Sequence, residues 1–318
     1  MVLASVVVSS PPVAAQSPAG SPGTTRCESS NPAAARSMHR RSNISLFYDL
    51  GLAIVSGRLF EWRGDGPVRV VGTKNKFAHV AVSARHGHGI DTNHSAWRWA
   101  AGSDALTFLL DDVAFLAAGE SSLLAIRCDG SLWQHKAEAS GWSRVADAAI
   151  HAWVGDSSDY YIEPGGSLYA SGKAHRGQYG NGRLEEVSGW TRVADNAVAV
   201  YSHTGHAVYL RQDGAVLGTG GNRFGPLATH GYGDKATHWG VIFEAASGLG
   251  TGASHSMAIR PNGSLWSWGS SDGLQPKVVL QNVSAAIGGD SATLAQTKDG
   301  SVWQWRVGTA PKQLVMPP

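Results

Sequence analysis

Hydrophobic and polar positions alternate along this chain in short runs, and one run keeps returning. The hexapeptide GSLWSW at 263–268 has an aliphatic residue third, an aromatic fourth and a tryptophan sixth. Six segments repeat its pattern: GRLFEW at 57–62, HSAWRW at 94–99, GSLWQH at 130–135, GSLYAS at 166–171, GAVLGT at 214–219 and GSVWQW at 300–305. Their starts are 37, 36, 36, 48, 49 and 37 residues apart, and eight of the twelve tryptophans fall inside them, so the repeat is no accident of composition. Alternation with period two predicts a strand at each copy. Asx-Gly pairs (Asp129-Gly130, Asp213-Gly214, Asn262-Gly263, Asp299-Gly300) stand just ahead and predict tight hairpin turns.

Each copy is preceded by another strand, such as 123–126 or 256–259, and before that by a Val/Ala strand, such as 193–200 or 283–287. The phrase SGW(S/T)RVAD, at 140–147 and again at 188–195, shows the same unit recurring. Four short strands in every ~40 residues, seven times over, predict an all-β fold, a seven-bladed β-propeller. One blade has two apolar faces and can cover neither alone, so the stack is expected to close into a ring. Only two strands, near 44–48 and 52–55, precede the first copy, while 310–315 reads as a strand after the last. The expectation is that this C-terminal strand is added to the first blade.

Two stretches, 172–182 with 190–193 and 252–269, resemble the RCC1-type repeat. The resemblance covers about residues 43–318 and implies the same seven-bladed propeller. Its family includes a nuclear exchange factor for a small GTPase and many bacterial and secreted proteins that bind other proteins, one group inhibiting β-lactamases. Four of the six intervals are shorter than the family's usual repeat, and the Gly-Gln-Leu-Gly type of loop is complete only at 177–180. Exchange activity therefore gets little weight.

Composition narrows the remainder. Residues 1–42 hold nine Ser, seven Ala, five Pro and two Gly, a makeup that cannot bury enough surface to offset its ordering entropy. They read as a mobile tail, 43–318 as the propeller. The apolar run 2–8 and the small residues 13–15 resemble an export signal without a basic start, so the chain is expected to be exported; the alternative is a plain low-complexity tail on a cytoplasmic protein. The basic cluster of Arg36, His39, Arg40 and Arg41 reads as a solvated linker. A net charge of +2 gives no reason to expect nucleic acid. No apolar run reaches the ~18 residues of a membrane span. Two cysteines make no disulfide scaffold, and pairing of Cys27 with Cys128 is left open.

Counting back eight residues from each copy gives Asp49, His86, Ser122, Ser158, His206, His255 and Ala292. Six are polar, and equivalent positions in a propeller form a ring at one channel mouth. They either hold a ligand there or hydrogen-bond their own turns and the adjacent blade, and the second reading is favoured. The run 85–94 gathers His86, His88 and His94 with Asp91, but nothing fixes a metal-ligand geometry in it. No metal or cofactor is expected. Acid pairs such as Asp111-Asp112, or Asp156 with Asp159, read as turn residues. No nucleophile elbow or phosphate loop is present.

The two long intervals place insertions near 172–190 and 220–240, on one rim. Their candidates for binding are His175, Arg176, Gln178, Tyr179, Arg223, Phe224 and Trp239, with Tyr232 and His238 beside them. The leading expectation is a monomeric, non-enzymatic scaffold that binds a protein partner through these rim loops. The alternatives are a hydrolase or lyase working through His86, His206 and His255, and a lectin-like glycan binder. A lectin would repeat solvent-facing tryptophans, whereas most of these read as core between blades.

Overall fold

The computed structural model describes residues 42–72, 74–137, 139–228, 233 and 235–318, together with 27, 32 and 36. The export-signal segments therefore lie outside the described residues. Seven antiparallel four-stranded sheets form, each from consecutive strands. Their first strands are Ile44–Phe47, Phe77–Val82, Val113–Ala118, His151–Val154, Ala197–Ser202, Gly248–Thr251 and Val283–Gly288. Each lies against the next and the last lies against the first, so the ring closes around a channel.

Every repeated hexapeptide supplies the third strand of a blade, from Arg58–Arg63 in blade 1 to Val302–Arg306 in blade 7. Gly130, Gly166, Gly214, Gly263 and Gly300 turn into it at φ between 85 and 87°, a region that favours glycine. The Asx residue ahead caps the turn, as when Asp129 Oδ1 accepts the Ser131 amide at 2.9 Å.

The tryptophan at the sixth position joins blades. Trp62 and Trp99 lie over Gly51 and Gly87 of the second strand, where a Cβ would collide with the indole. Each indole N–H then reaches the preceding blade. Trp99 donates to Glu61 Oε2 at 2.9 Å, and Trp268 donates to the Pro226 carbonyl at 2.8 Å. Trp62 of blade 1 donates in the same way to Gln304 Oε1 of blade 7.

Ring closure follows from this device rather than from strand addition. Lys312–Gln313 pairs with Val302–Arg306 as the fourth strand of blade 7, and blade 1 has its own fourth strand, Arg69–Val70. That strand is two residues long and has no alternation to read, which is why the sequence left blade 1 one strand short. The seam is packed by Ile44, Leu46 and Trp62 against Ile287, Leu294 and Val302, and Leu314 and Met316 cover it. Arg58 donates to the Pro318 carbonyl at 2.8 Å. Removing residues 309–318 strips the last strand of blade 7 and uncovers the seam, and should lower Tm by about 5–10 °C. Thermal unfolding followed by tryptophan fluorescence checks this; an unchanged Tm would show that the segment plays no part in closure.

Cys27 and Cys128 form a disulfide, buried against Ala114.

Candidate functional site: one face of the propeller

The positions counted back from the hexapeptides fall at equivalent places in successive blades. His86, Ser122, Ser158 and His206 each open a second strand, His255 immediately precedes one, and Asp49 sits in the corresponding turn of blade 1. Three of these side chains, Ser122, His206 and His255, bond to the neighbouring blade. Ser122 donates to Asp159 Oδ2 of the next blade at 2.8 Å. His206 Nε2 lies 2.6 Å from Thr251 Oγ1, and His255 Nε2 lies 2.9 Å from Thr293 Oγ1. Ser158 donates to the Lys173 carbonyl. Burial pushes His206 down to about 3 and His255 down to about 4. His86 is half-buried and lowered by burial, then by Arg98 and Arg85. Asp49 stays exposed and pairs with Arg63 at 2.6 Å. His206 and His255 are thus buried and bonded between blades, while His86 stands apart on blade 2.

What does open at this end lies one turn nearer the channel. The turns between first and second strands bring together Tyr48, Asp49, Glu120, Asp156, His203 and Asp290. Each of Asp156, Glu120 and Asp290 acts electrostatically on the Tyr48 hydroxyl, which burial and these carboxylates push up. His203 is 5% exposed. Its Nδ1 accepts the Thr204 amide at 2.9 Å and stands 3.6 Å from Asp156 Oδ2. Its Nε2 faces Asp290 Oδ1 across 3.9 Å. Both His203 Nε2 and Asp156 Oδ1 are buried without a hydrogen-bond partner. Burial raises the carboxyls of Asp156 and Asp290 above their ordinary range; for Asp290, His203 pulls back while Asp156 and Asp49 push further. Phe47 stacks on the His203 ring, with centroids 6.0 Å apart. A cavity of about 290 Å³ occupies the channel, lined among others by Leu46, Phe115, His151, Trp153 and Tyr201.

Sequence reasoning missed this cluster, though a signal was there. Glu120, Asp156 and Asp290 each sit in a Gly-acid-Ser triplet ten residues ahead of a hexapeptide. Counting back ten instead of eight finds them.

The insertions rise beside the same turns. Lys173 donates its amide to the Ser157 carbonyl at 2.8 Å, and Gly221 donates to the Gly205 carbonyl at 2.7 Å. Long loops and acidic mouth thus share one face, and the Asx-Gly turns occupy the other. His175, Arg176, Arg223 and Phe224 are exposed as expected, and Arg223 lies over the Phe224 ring at 5.6 Å. Gln178 and Tyr179 are corrected to buried residues that pin their loop. Tyr179 donates to the Gly172 carbonyl at 2.7 Å, and Gln178 Oε1 accepts the Arg176 amide at 2.9 Å. Trp239 is half-buried, its N–H held by the Val193 carbonyl and its ring set edge-on to Tyr209. Its apolar surface closes the core between two blades, so it is not a free rim anchor. Tyr232 lies outside the described residues.

In the histidine-rich run, the Asp91 carboxylate is engaged by its own turn and by the next strand. That carboxylate accepts the Asn93 and Ser95 amides and the Trp97 indole N–H, at 2.8, 3.0 and 2.9 Å. His94 instead lies by Cys27 and Cys128, whose sulfurs are joined to each other.

No protein-family model matches the chain, and no curated protein matches it in sequence. Solved structures do. The chain superposes on Saccharomyces cerevisiae RCC1 (Prp20) in its complex with Kap60, with TM-score 0.69, 14% identity, and coverage of 77% of this chain and 74% of that one. The fold is that of an RCC1-type propeller. Human WBSCR16 is similar with TM-score 0.70 and 14% identity over 79% of this chain and 84% of that one. The ectodomain of the Arabidopsis thaliana receptor kinase ACR4 follows with TM-score 0.60 and 12% identity over 87% and 98%. Among the described residues no helix is long and apolar enough to cross a membrane.

Proposed function

We propose that this chain is a non-enzymatic recognition scaffold that binds a protein partner on the face carrying the blade 4 and blade 5 insertions. One observation carries the reading: both long loops and the open acidic channel mouth lie on the same face, so a single partner can span them. The rim offers Arg223 and Phe224, types that carry interface energy, and Phe224 is 51% exposed. A propeller face readily supplies the ~800 Å² per partner of a standard interface. The structurally similar Prp20 binds proteins: its structure has been solved with Kap60, and its binding to Gsp1p and histones has been characterised. The Cys27–Cys128 disulfide suits an oxidising compartment and supports an exported protein. Buried tryptophans at the sixth position, such as Trp62, Trp99, Trp268 and Trp305, leave a lectin without its repeated stacking platform.

Affinity capture followed by partner identification tests the face. The double variant Arg223→Ala with Phe224→Ala should weaken binding of the identified partner by tenfold or more. Lys298→Ala, exposed by an Asx-Gly turn on the opposite face, should leave it unchanged. Equal effects of the two would refute the assignment of the face.

A further inference from the structure

Four of the nine asparagines stand two residues ahead of a serine, with a residue other than proline between: Asn43-Ile44-Ser45, Asn93-His94-Ser95, Asn262-Gly263-Ser264 and Asn282-Val283-Ser284. This is the acceptor pattern for N-linked sugar, which falls on surface loops of exported chains. All four asparagines are exposed, whereas Asn222, outside the pattern, is buried. The fold gathers them in a way their spacing does not show. Asn93 lies in the turn between the second and third strands of blade 2, His86–Asp91 and Ala96–Ala100. Asn262 lies in the same turn of blade 6, between Ser256–Ile259 and Leu265–Trp268. Asn43 and Asn282 immediately precede the first strands of blades 1 and 7, Ile44–Phe47 and Val283–Gly288. A first strand starts opposite the end of the second, as Val283 pairs with Thr297, so these two positions share that end of the sheet. All four therefore stand on the Asx-Gly face, opposite the insertions, and on blades 6, 7, 1 and 2, which follow one another around the ring. The next sector of that face meets the chain's own N-terminal region. Cys27 is bonded to Cys128 in blade 3, and Arg36 donates to the Pro164 carbonyl in blade 4 at 3.2 Å.

We propose that Asn43, Asn93, Asn262 and Asn282 are acceptors for N-linked oligosaccharide, which covers one arc of the Asx-Gly face. The inference rests on the exported reading above, because the donor, a lipid diphosphate oligosaccharide, is met on the export route. In the transfer, the asparagine side-chain nitrogen bonds to the anomeric carbon of the first sugar. The bond from that carbon to the diphosphate oxygen breaks, the lipid diphosphate leaves with the electron pair, and the amide releases one proton. The turns accommodate the product. At Asn262 the turn uses the side-chain oxygen, which accepts the Ser264 amide at 3.0 Å and its hydroxyl at 2.8 Å, and not the nitrogen that would carry the sugar. Asp129, Asp213 and Asp299 cap the same turn in other blades with no amide nitrogen at all, so the cap does not require asparagine. A bulky, hydrated sugar on this arc leaves the insertion face bare for the partner.

The test expresses the full chain, with its own N-terminus, in a secreting animal cell and collects medium and cytosol. Peptide-N-glycosidase in oxygen-18 water converts each glycosylated asparagine to a labelled aspartate that peptide mass spectrometry locates. Label is expected at the four named positions and at none of the other asparagines. Asn43→Asp, Asn93→Asp, Asn262→Asp and Asn282→Asp should each remove one step of electrophoretic mobility. Aspartate keeps the side-chain oxygen of the turn and tolerates the positive φ of Asn282, so each variant should still fold. Label at three or four of the sites supports the proposal. Secreted chain with label at two or fewer, or with label outside the pattern, overturns it. The two readings fail separately: a secreted chain without label removes only the acceptor assignment, whereas a chain found only in the cytosol removes the exported reading and the assignment with it.

Discussion

Lowering the pH from about 7 to about 5 will destabilise the propeller by several kcal/mol. His88, His203, His206 and His255 are buried, and burial pushes them down to about 3, 4, 3 and 4. Above their ordinary value of 6.5 they are neutral whether the chain is folded or not. Below it, the unfolded chain takes up protons that the folded chain refuses until the pH falls through those low values. Stability present above 6.5 is therefore lost on acidification, at about 1.4 kcal/mol per pH unit for each histidine. Asp159 acts in the opposite sense: burial raises it to about 6, so the folded chain takes its proton first and gains stability below that pH. Asp156 and Asp290, raised by burial, add to that gain. The steepest loss therefore begins just below 6.5, and the carboxylates soften it below about 6. Set against the roughly 5–15 kcal/mol of a typical folded protein, the net loss is large. Urea denaturation at successive pH values measures it. His255→Gln, which removes one titrating group and keeps a hydrogen-bond partner for Thr293, should reduce the slope. A flat profile between 7 and 5 would mean that these four side chains do not stay neutral in the fold.

The same histidines show why the fold was more legible than the site. Strand order and blade number follow from a period-two pattern tied to a turn. Backbone hydrogen bonding and apolar burial enforce that pattern locally, so it survives in the sequence at every copy. Position alone also located His206 and His255 at equivalent places. Which way the side chains turn was not legible, because their partners, Thr251 and Thr293, come from the neighbouring blade. Tyr179 misled for a related reason. Tyrosine in a long loop reads as an anchor for a partner, yet its hydroxyl finds Gly172 seven residues back, and the loop folds down onto the core. The acidic mouth assembles Glu120, Asp156, His203 and Asp290 from four blades. Each is an ordinary turn residue until the ring brings them together. The closure was misread because Arg69–Val70 is held by pairing with Phe60 and Glu61, not by any pattern of its own.

Replacing Glu61 with alanine should cost about 3–5 kcal/mol, the expected effect of removing one partner from a buried charged network. Glu61 occupies the fifth position of the first hexapeptide and is 3% exposed. It accepts the Trp99 indole N–H at 2.9 Å, the Gly102 amide at 2.6 Å and Arg69 Nε at 3.0 Å. Alanine would leave the indole of a fully buried tryptophan unsatisfied and release the turn at Gly102. Arg69 suffers less, because it keeps Asp104 at 2.8 Å and the Ser103 carbonyl. Glu61→Gln keeps one acceptor in place and should lose less than half as much. The surface pair of Arg63 with Asp49 is the internal control: both side chains are half exposed, and Arg63→Ala should cost within about 1 kcal/mol. At about 2–4 °C per kcal/mol, the Glu61 variant should melt roughly 10 °C lower than the Arg63 variant. Equal melting temperatures would mean that the indole-to-preceding-blade contact does not hold the blades together. Gln304 receives Trp62 by the same geometry at the seam, so Gln304→Ala should follow Glu61→Ala in direction, and by a smaller amount because a neutral acceptor is lost.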